Sequence, residues 1–132
     1  MLNRTLRVAV MRLLITSAVL STGACAGHPL KLADRNNARI ATLERGMTPE
    51  QVIERIGPGT GAIRNPFKTE MYPAGDDTFR ILYFYSQRVR ADGNYTDDEL
   101  MPVVFKNGLL DGFGWSYWEG VAAQYSIRIR GQ

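Results

Sequence analysis

Cysteine occurs once in this sequence of 132 residues, and so does histidine. A single thiol excludes a disulfide framework and a multi-thiolate metal site. The one histidine, His28, falls in a short lead-in (Gly27–Leu32) without the rigid, oriented setting a general base needs. No apolar run reaches the roughly 18–20 residues that cross a bilayer as a helix. An excess of positive charge is missing too, once the first segment is set aside. Removing Arg4, Arg7 and Arg12 takes Lys+Arg from 16 to 13, against 13 Asp+Glu. The near-neutral remainder gives no electrostatic footprint for nucleic acid, which needs clustered positive charge.

What the first 25 residues do contain is the layout of an export signal. Three arginines precede the apolar run Leu13–Leu20, small residues follow from Ser21 to Ala24, and Cys25 comes next. Met11-Arg12 would itself open a compact signal, so Met1 and Met11 both fit as the start. Cys25 has two readings. It is the lipid-modified N-terminus of a bacterial lipoprotein, although Thr22 stands where such sites usually carry Leu; or cleavage follows Ala24-Cys25-Ala26 and releases a soluble periplasmic protein. Residues 26–32 then form a tether. The remaining length suits one domain with a single core, expected over residues 33–118 with a tail at 119–132.

The best-marked element is Gly46-Met47-Thr48-Pro49-Glu50-Gln51-Val52-Ile53-Glu54-Arg55-Ile56-Gly57-Pro58. Thr48 and Gln51 spell a capping box, and Pro49 occupies the first helical position, where its missing N–H is harmless. Met47 and Val52 can close a hydrophobic staple over the first turn. Gly57 supplies a left-handed C′ residue before the stop at Pro58. A weaker helix precedes it over Ala33–Arg45, with Asp34 as its cap and Gly46 at its end. The glycines from Gly57 to Gly61 do not make a phosphate loop, because no Gly-Lys-Ser/Thr follows.

Strands are expected next. A short one lies within Asn65–Tyr72, bounded by Pro66 and Pro73. A long one covers Thr78–Arg90, with Phe79, Ile81, Tyr83, Tyr85 and Val89 on the core face and Leu82 and Phe84 on the other. Ala91–Asp98 is a polar connection. Its Asp92, Asn94 and Thr96 imitate a calcium loop, but Asp97 stands where Gly is needed and Val103 where Glu is needed. Glu99–Trp118 is a hairpin closed by Asn107-Gly108, a strong two-residue turn signal. A regular register then pairs Phe105 with Leu110, Val103 with Gly112 and Met101 with Gly114 on the core face. Pro102 conflicts with a central strand, since it cannot donate to a ladder. Val121–Gln132 reads as an edge strand or a frayed end.

On this register Leu82, Phe84, Val104, Phe113, Trp115 and Tyr117 share the outer face of the sheet with Leu100 and Pro102. That makes it an apolar surface of the kind that binds partners, unless the tail folds back over it. Gly114-Trp115-Ser116-Tyr117-Trp118 lacks the last Gly and the strand-turn-helix setting of a nucleophile elbow. No nucleophile, base and orienting group converge, so the chain reads as non-enzymatic, with no cofactor and no metal.

The run from Leu43 to Pro58, the aromatic strand and the Phe105-Lys106-Asn107-Gly108 hairpin together resemble the small bacterial outer-membrane lipoproteins of the SmpA/OmlA (BamE-like) type. The resemblance covers roughly Ala33–Trp118 and is nearest to a branch of that fold without a characterised role. It implies an α+β fold, with two short N-terminal helices on one face of a three- to four-stranded antiparallel meander (α-α-β-β-β). It also implies lipid anchoring at the periplasmic face of the outer membrane and binding to an envelope protein. The β-barrel assembly machinery, or another system that maintains the envelope, is the expected partner. The alternative is a soluble periplasmic inhibitor or ligand-binding module.

Overall fold

The computed structural model describes residues 28–130. The expected signal, the Met1 or Met11 start and Cys25 lie outside them. The elements run α1 (Pro29–Ile40), α2 (Pro49–Ile56), β1 (Lys68–Ala74), β2 (Asp77–Tyr85), β3 (Leu100–Lys106), β4 (Leu109–Phe113) and α3 (Trp115–Gln124). The fold is α+β, and the four strands form one antiparallel sheet in the order β1-β2-β3-β4.

The capping signals around α2 are realised. Thr48 Oγ1 accepts from Gln51 N–H at 3.3 Å, and Gln51 Oε1 accepts from Thr48 N–H at 2.9 Å. Val52 and Ile56 are fully buried, and Met47 packs beside Val52 in the same apolar cluster. Gly57 has φ +79° but ψ −177°, so it is a positive-φ residue of the kind glycine favours without being a left-handed helical cap. The helix before it starts earlier than expected. His28, not Asp34, is its N-cap, with the imidazole accepting from Leu30 N–H at 3.3 Å, and α1 ends at Ile40. Pro29 at the first helical position explains the earlier start.

β2 reads Asp-Thr-Phe-Arg-Ile-Leu-Tyr-Phe-Tyr, and Phe79, Ile81, Leu82, Tyr83 and Phe84 are each 0% exposed. A strand with both faces apolar is buried on both sides, and two cores flank this one. Leu82 and Phe84 join Val103, Phe105 and Leu110 beneath α2 and the end of α1. Phe79, Ile81, Tyr83 and Tyr85 join Leu100, Val104 and Trp118 beneath α3. Between the cores, α1 contributes Leu32 and Ala33 to one and Ile40 to the other. Asn36, 0% exposed, donates to Tyr85 C=O at 2.8 Å and accepts from Asn65 at 2.8 Å where the helix passes the sheet.

Two register expectations are corrected. Leu82 pairs with Val103 and Ile81 with Val104, so Leu82 and Phe84 share a face with Met101, Val103 and Phe105 instead of lying opposite them. In the hairpin, Phe105 pairs with Leu110 as expected, but a bulge follows, and Val104 meets Gly112 while Val103 meets Phe113. One extra residue, Asp111, moves Gly112 to the α3 side and Phe113 to the α2 side. The bulge leaves β4 ending at Phe113, so no strand faces the nitrogen of Pro102. Pro102 C=O accepts from Gly114 N–H at 2.8 Å, and the proline is accommodated.

The first strand begins and ends later than expected, and Pro73 lies inside it, which an edge strand tolerates. The long strand stops at Tyr85, short of Arg90, because Ser86 and Gln87 turn to bond Glu99 C=O. The largest departure is at the C-terminus. Trp118, Val121, Ala122 and Tyr125 recur at helical spacing, and α3 replaces both the end of the hairpin and the edge strand. Beyond it Ile127 and Ile129 pack against the core as an irregular tail.

Candidate functional site

The six residues expected to form a partner surface do not form one. Leu82 and Phe84 lie under α1 and α2, and Val104 lies under α3, all with no exposed area. Trp115 and Tyr117 belong to α3 and pack down onto the sheet. Trp115 Nε1–H donates to Leu100 C=O at 2.8 Å, and its ring lies 5.9 Å from that of Tyr83. A Cβ on Gly112 would sit 2.5 Å from the Tyr117 ring, so this glycine lets α3 lie close against the sheet. Only Phe113 remains open, at 40% exposure. One face is covered by the chain's own C-terminal segment and the other by α1 and α2.

The other named positions are structural. Gly46 N–H donates to Leu110 C=O at 2.9 Å, and Leu110 N–H donates to Met47 C=O at 2.8 Å. The loop before α2 thereby closes the outer edge of β4. Asn107 and Gly108 take positive φ (50° and 83°) in the hairpin turn, and the Asn107 side chain accepts from Thr78 N–H and donates to Asp77.

Two polar networks escaped the sequence reading. On the α3 side of β1, Glu70 accepts from the hydroxyls of Tyr72 and Tyr83 at 2.7 and 2.8 Å and pairs with Lys68 at 3.4 Å. Lys68 bridges onward to Asp97 at 2.6 Å. Burial alone would raise the Glu70 carboxyl, but the two hydroxyls and Lys68 outweigh it and hold it below its ordinary value near 4.5. Burial, reinforced by Glu70, pushes the Tyr83 hydroxyl up. In the connection before β3, Glu99 is 1% exposed and accepts from Val89 N–H at 2.7 Å, Arg90 N–H at 3.2 Å and Thr96 N–H at 3.4 Å. The Thr96-x-x-Glu99 spacing was the available signal, since it repeats the capping-box pattern of Thr48 and Gln51.

At the hairpin end, Lys106 Nζ donates to Tyr125 Oη at 2.8 Å and pairs with Asp77 at 3.1 Å, while Tyr125 Oη donates to the same carboxylate at 3.0 Å. Hydrogen bonds to Tyr125 and then to Asp77 raise the Lys106 ammonium, and bonds from Asn107, Lys106 and Tyr125 lower the Asp77 carboxyl. Tyr117 donates to Asp111, which also pairs with Arg45 at 3.6 Å. Lys106, Asp111 and Tyr125 line a cleft of about 400 Å³ against α3, whose exposed Ser116, Gly120 and Gln124 form the opposite wall. Buried Phe79 is its floor. Among the described residues no three His, Cys, Asp or Glu side chains converge as a metal site, and no helix is long and apolar enough to cross a membrane.

Residues 30–119 match a family profile described as a protein of unknown function, DUF3192. No curated protein and no solved structure matches the chain.

Proposed function

This chain belongs to the DUF3192 family, and from that premise we propose that it is a non-enzymatic lipoprotein of the bacterial envelope that binds another envelope component. Cys25 carries the reading. It is the sole cysteine, it follows an arginine-led apolar run and a small-residue stretch, and α1 begins only four residues later, at Pro29. The acylated thiol would hold the protein at the periplasmic face of the outer membrane. More than one acyl chain gives stable anchoring where a single one is marginal.

The non-enzymatic part rests on the satisfied state of the polar groups. Glu70, Glu99, Asp77, Lys106 and Asp111 are all engaged in hydrogen bonds or ion pairs that hold loops and strand ends together. The tyrosine hydroxyls and the lysine amine beside them are tied into the same bonds. Two helices ahead of an antiparallel meander, the arrangement implied by the resemblance to the SmpA/OmlA (BamE-like) lipoproteins, support an assembly or maintenance role in the same compartment, although this chain adds a fourth strand and a closing helix. The β-barrel assembly machinery is the partner to test first.

The test is fractionation with capture. Wild type is expected in the membrane fraction and Cys25→Ser in the soluble periplasm, with envelope proteins recovered on the wild type. A wild-type protein that fractionates as soluble means cleavage after Ala26. Recovery of a single soluble enzyme would favour the inhibitor reading.

A further inference from the structure

We propose that the cleft between α3 and the β3–β4 hairpin binds a neutral sugar ring bearing hydroxyl and acetamido groups. The argument starts from charge. Each ion on the hairpin side is already neutralised within the chain, Lys106 by Asp77 and Asp111 by Arg45. A charged ligand would have to break one of these pairs, whereas a neutral polar ligand can use what they leave over. The Lys106 ammonium has three donors, two of them occupied by Tyr125 and Asp77. The Ser116 hydroxyl and the Gln124 amide face solvent with no partner among the described residues. A ligand without polar groups would strand these donors and acceptors, which is costly once water is excluded. Half-buried Tyr117 and Tyr125 supply rings with polar tips, the amphipathic surface on which a sugar's own apolar face can rest. At about 400 Å³ the space falls in the range of small-ligand sites.

Gly120 is the second observation. It sits mid-helix, where glycine costs about 1 kcal/mol relative to alanine. No packing demands it, for a Cβ there would meet nothing within 4 Å, and it is not among the positive-φ glycines. A larger side chain at this position, between Ser116 and Gln124 on the same helical stripe, would project into the cleft. The glycine keeps that wall open for close approach to the backbone.

Position supplies the class of sugar, and this step rests on the lipoprotein reading above. Pro29 and Tyr85 share a hollow at one end of the sheet, close to the lipidated thiol in sequence. Lys106 and Asp77 mark the other end. The nine residues of β2 separate the two by roughly 26 Å, at about 3.3 Å per residue. A protein hung by Cys25 would present this cleft away from the membrane, towards the N-acetylated glycan of the cell wall.

Purified full-length protein, titrated with N,N′-diacetylchitobiose and read by two-dimensional NMR, tests the site without reference to where the protein resides. Saturable shifts are expected at Gly120, Gln124, Tyr125 and Lys106, with a dissociation constant of about 1 mM, as suits a small polar ligand in an open cleft. Gly120→Leu is expected to weaken binding by about tenfold or more, a loss near 1.4 kcal/mol. Ser116→Leu, on the same exposed stripe, serves if the first variant fails to fold. Absence of saturable shifts, shifts outside the cleft, undiminished binding in both variants, or a stronger response to inorganic sulfate would each overturn the proposal. Cys25→Ser fractionation reads the anchor separately.

Discussion

The two tryptophans of α3 offer a sharp test of the packing, because their indole N–H groups have opposite fates. Trp115 donates to Leu100 C=O, whereas Trp118 is 0% exposed and its Nε1–H has no partner among the described residues. Replacing either by Phe removes about three ring atoms, worth roughly 1–2 kcal/mol of packing at a buried site. At Trp118 the change also removes an unpaired buried donor, whose burden in the native state is about 1–3 kcal/mol. The terms oppose, and Trp118→Phe is expected within about 1 kcal/mol of wild type. At Trp115 the packing loss is smaller, but Leu100 C=O is left unpaired, and Trp115→Phe is expected to destabilise by about 2 kcal/mol. The order inverts what burial alone would give. Trp118→Ala, which also empties the contacts to Tyr72 and Phe79, fixes the scale at about 3–5 kcal/mol. Urea unfolding followed by far-ultraviolet circular dichroism, with unchanged slopes, makes the comparison clean. A Trp118→Phe loss above about 3 kcal/mol, or one larger than that of Trp115→Phe, would refute the reasoning.

Thr48→Ala is expected to cost about 1 kcal/mol through the lost N-cap bond, read as a shift in urea midpoint. Gly57→Val is expected to cost more, about 2 kcal/mol: its φ is +79°, and a Cβ would land 2.6 Å from Arg39 Nη1, the atom that donates to Ile56 C=O. Glu70 gives an acid limb. Its carboxyl is held low in the folded state, so its contribution is complete above the ordinary value near 4.5 and is lost as pH falls below it. Unfolding midpoints measured between pH 7 and pH 3 are expected to drop less in Glu70→Gln than in wild type. Glu99→Gln leaves the loop amides of Val89 and Arg90 sharing one neutral oxygen, and faster amide hydrogen exchange there is the expected result.

How much of this fold the sequence discloses follows from how local each signal is. The capping box at Thr48 and Gln51 and the turn at Asn107-Gly108 were readable because each is decided by a few neighbours. The faces of β2 and β3 were not, because their relation passes through the connection 86–99, whose ordering depends on the buried carboxylate of Glu99. A bulge at Asp111 cannot be inferred from alternation and reverses the side on which Phe113 lies. The helical spacing of Trp118, Val121 and Tyr125 was present in the sequence, but the alternation of Tyr125, Ile127 and Ile129 competed with it. The strand-like aromatics before it hid the start of α3 at Trp115. The hairpin-end cleft was invisible for the same reason, since one of its walls is that helix.

The helices on both faces decide which surfaces are left for a proposed partner. A sheet with one uncovered apolar face would bind through that face; this one has helices on both, so its central strands are spent on its own stability. Its two edges differ. β4 is closed by reciprocal bonds between Leu110 and the Gly46–Met47 segment, which gives the best-marked stretch of the sequence an added task of sealing an edge. Among the described residues β1 has no strand beyond it, and it carries Lys68, Glu70 and Pro73, the kinds of residue that discourage edge-to-edge pairing. Of the larger exposed apolar side chains among the described residues, Met71, Leu109 and Phe113 lie on these two edge strands and Leu30 and Val89 at the end where α1 begins, so these residues leave no continuous patch on either face. On the proposed reading, recognition falls to the ends of the sheet. One end carries the start of α1 at Pro29, and the other carries the cleft of Lys106, Gly120 and Tyr125. The proposed anchor and the proposed sugar site would then lie at opposite poles of the sheet, about the length of β2 apart.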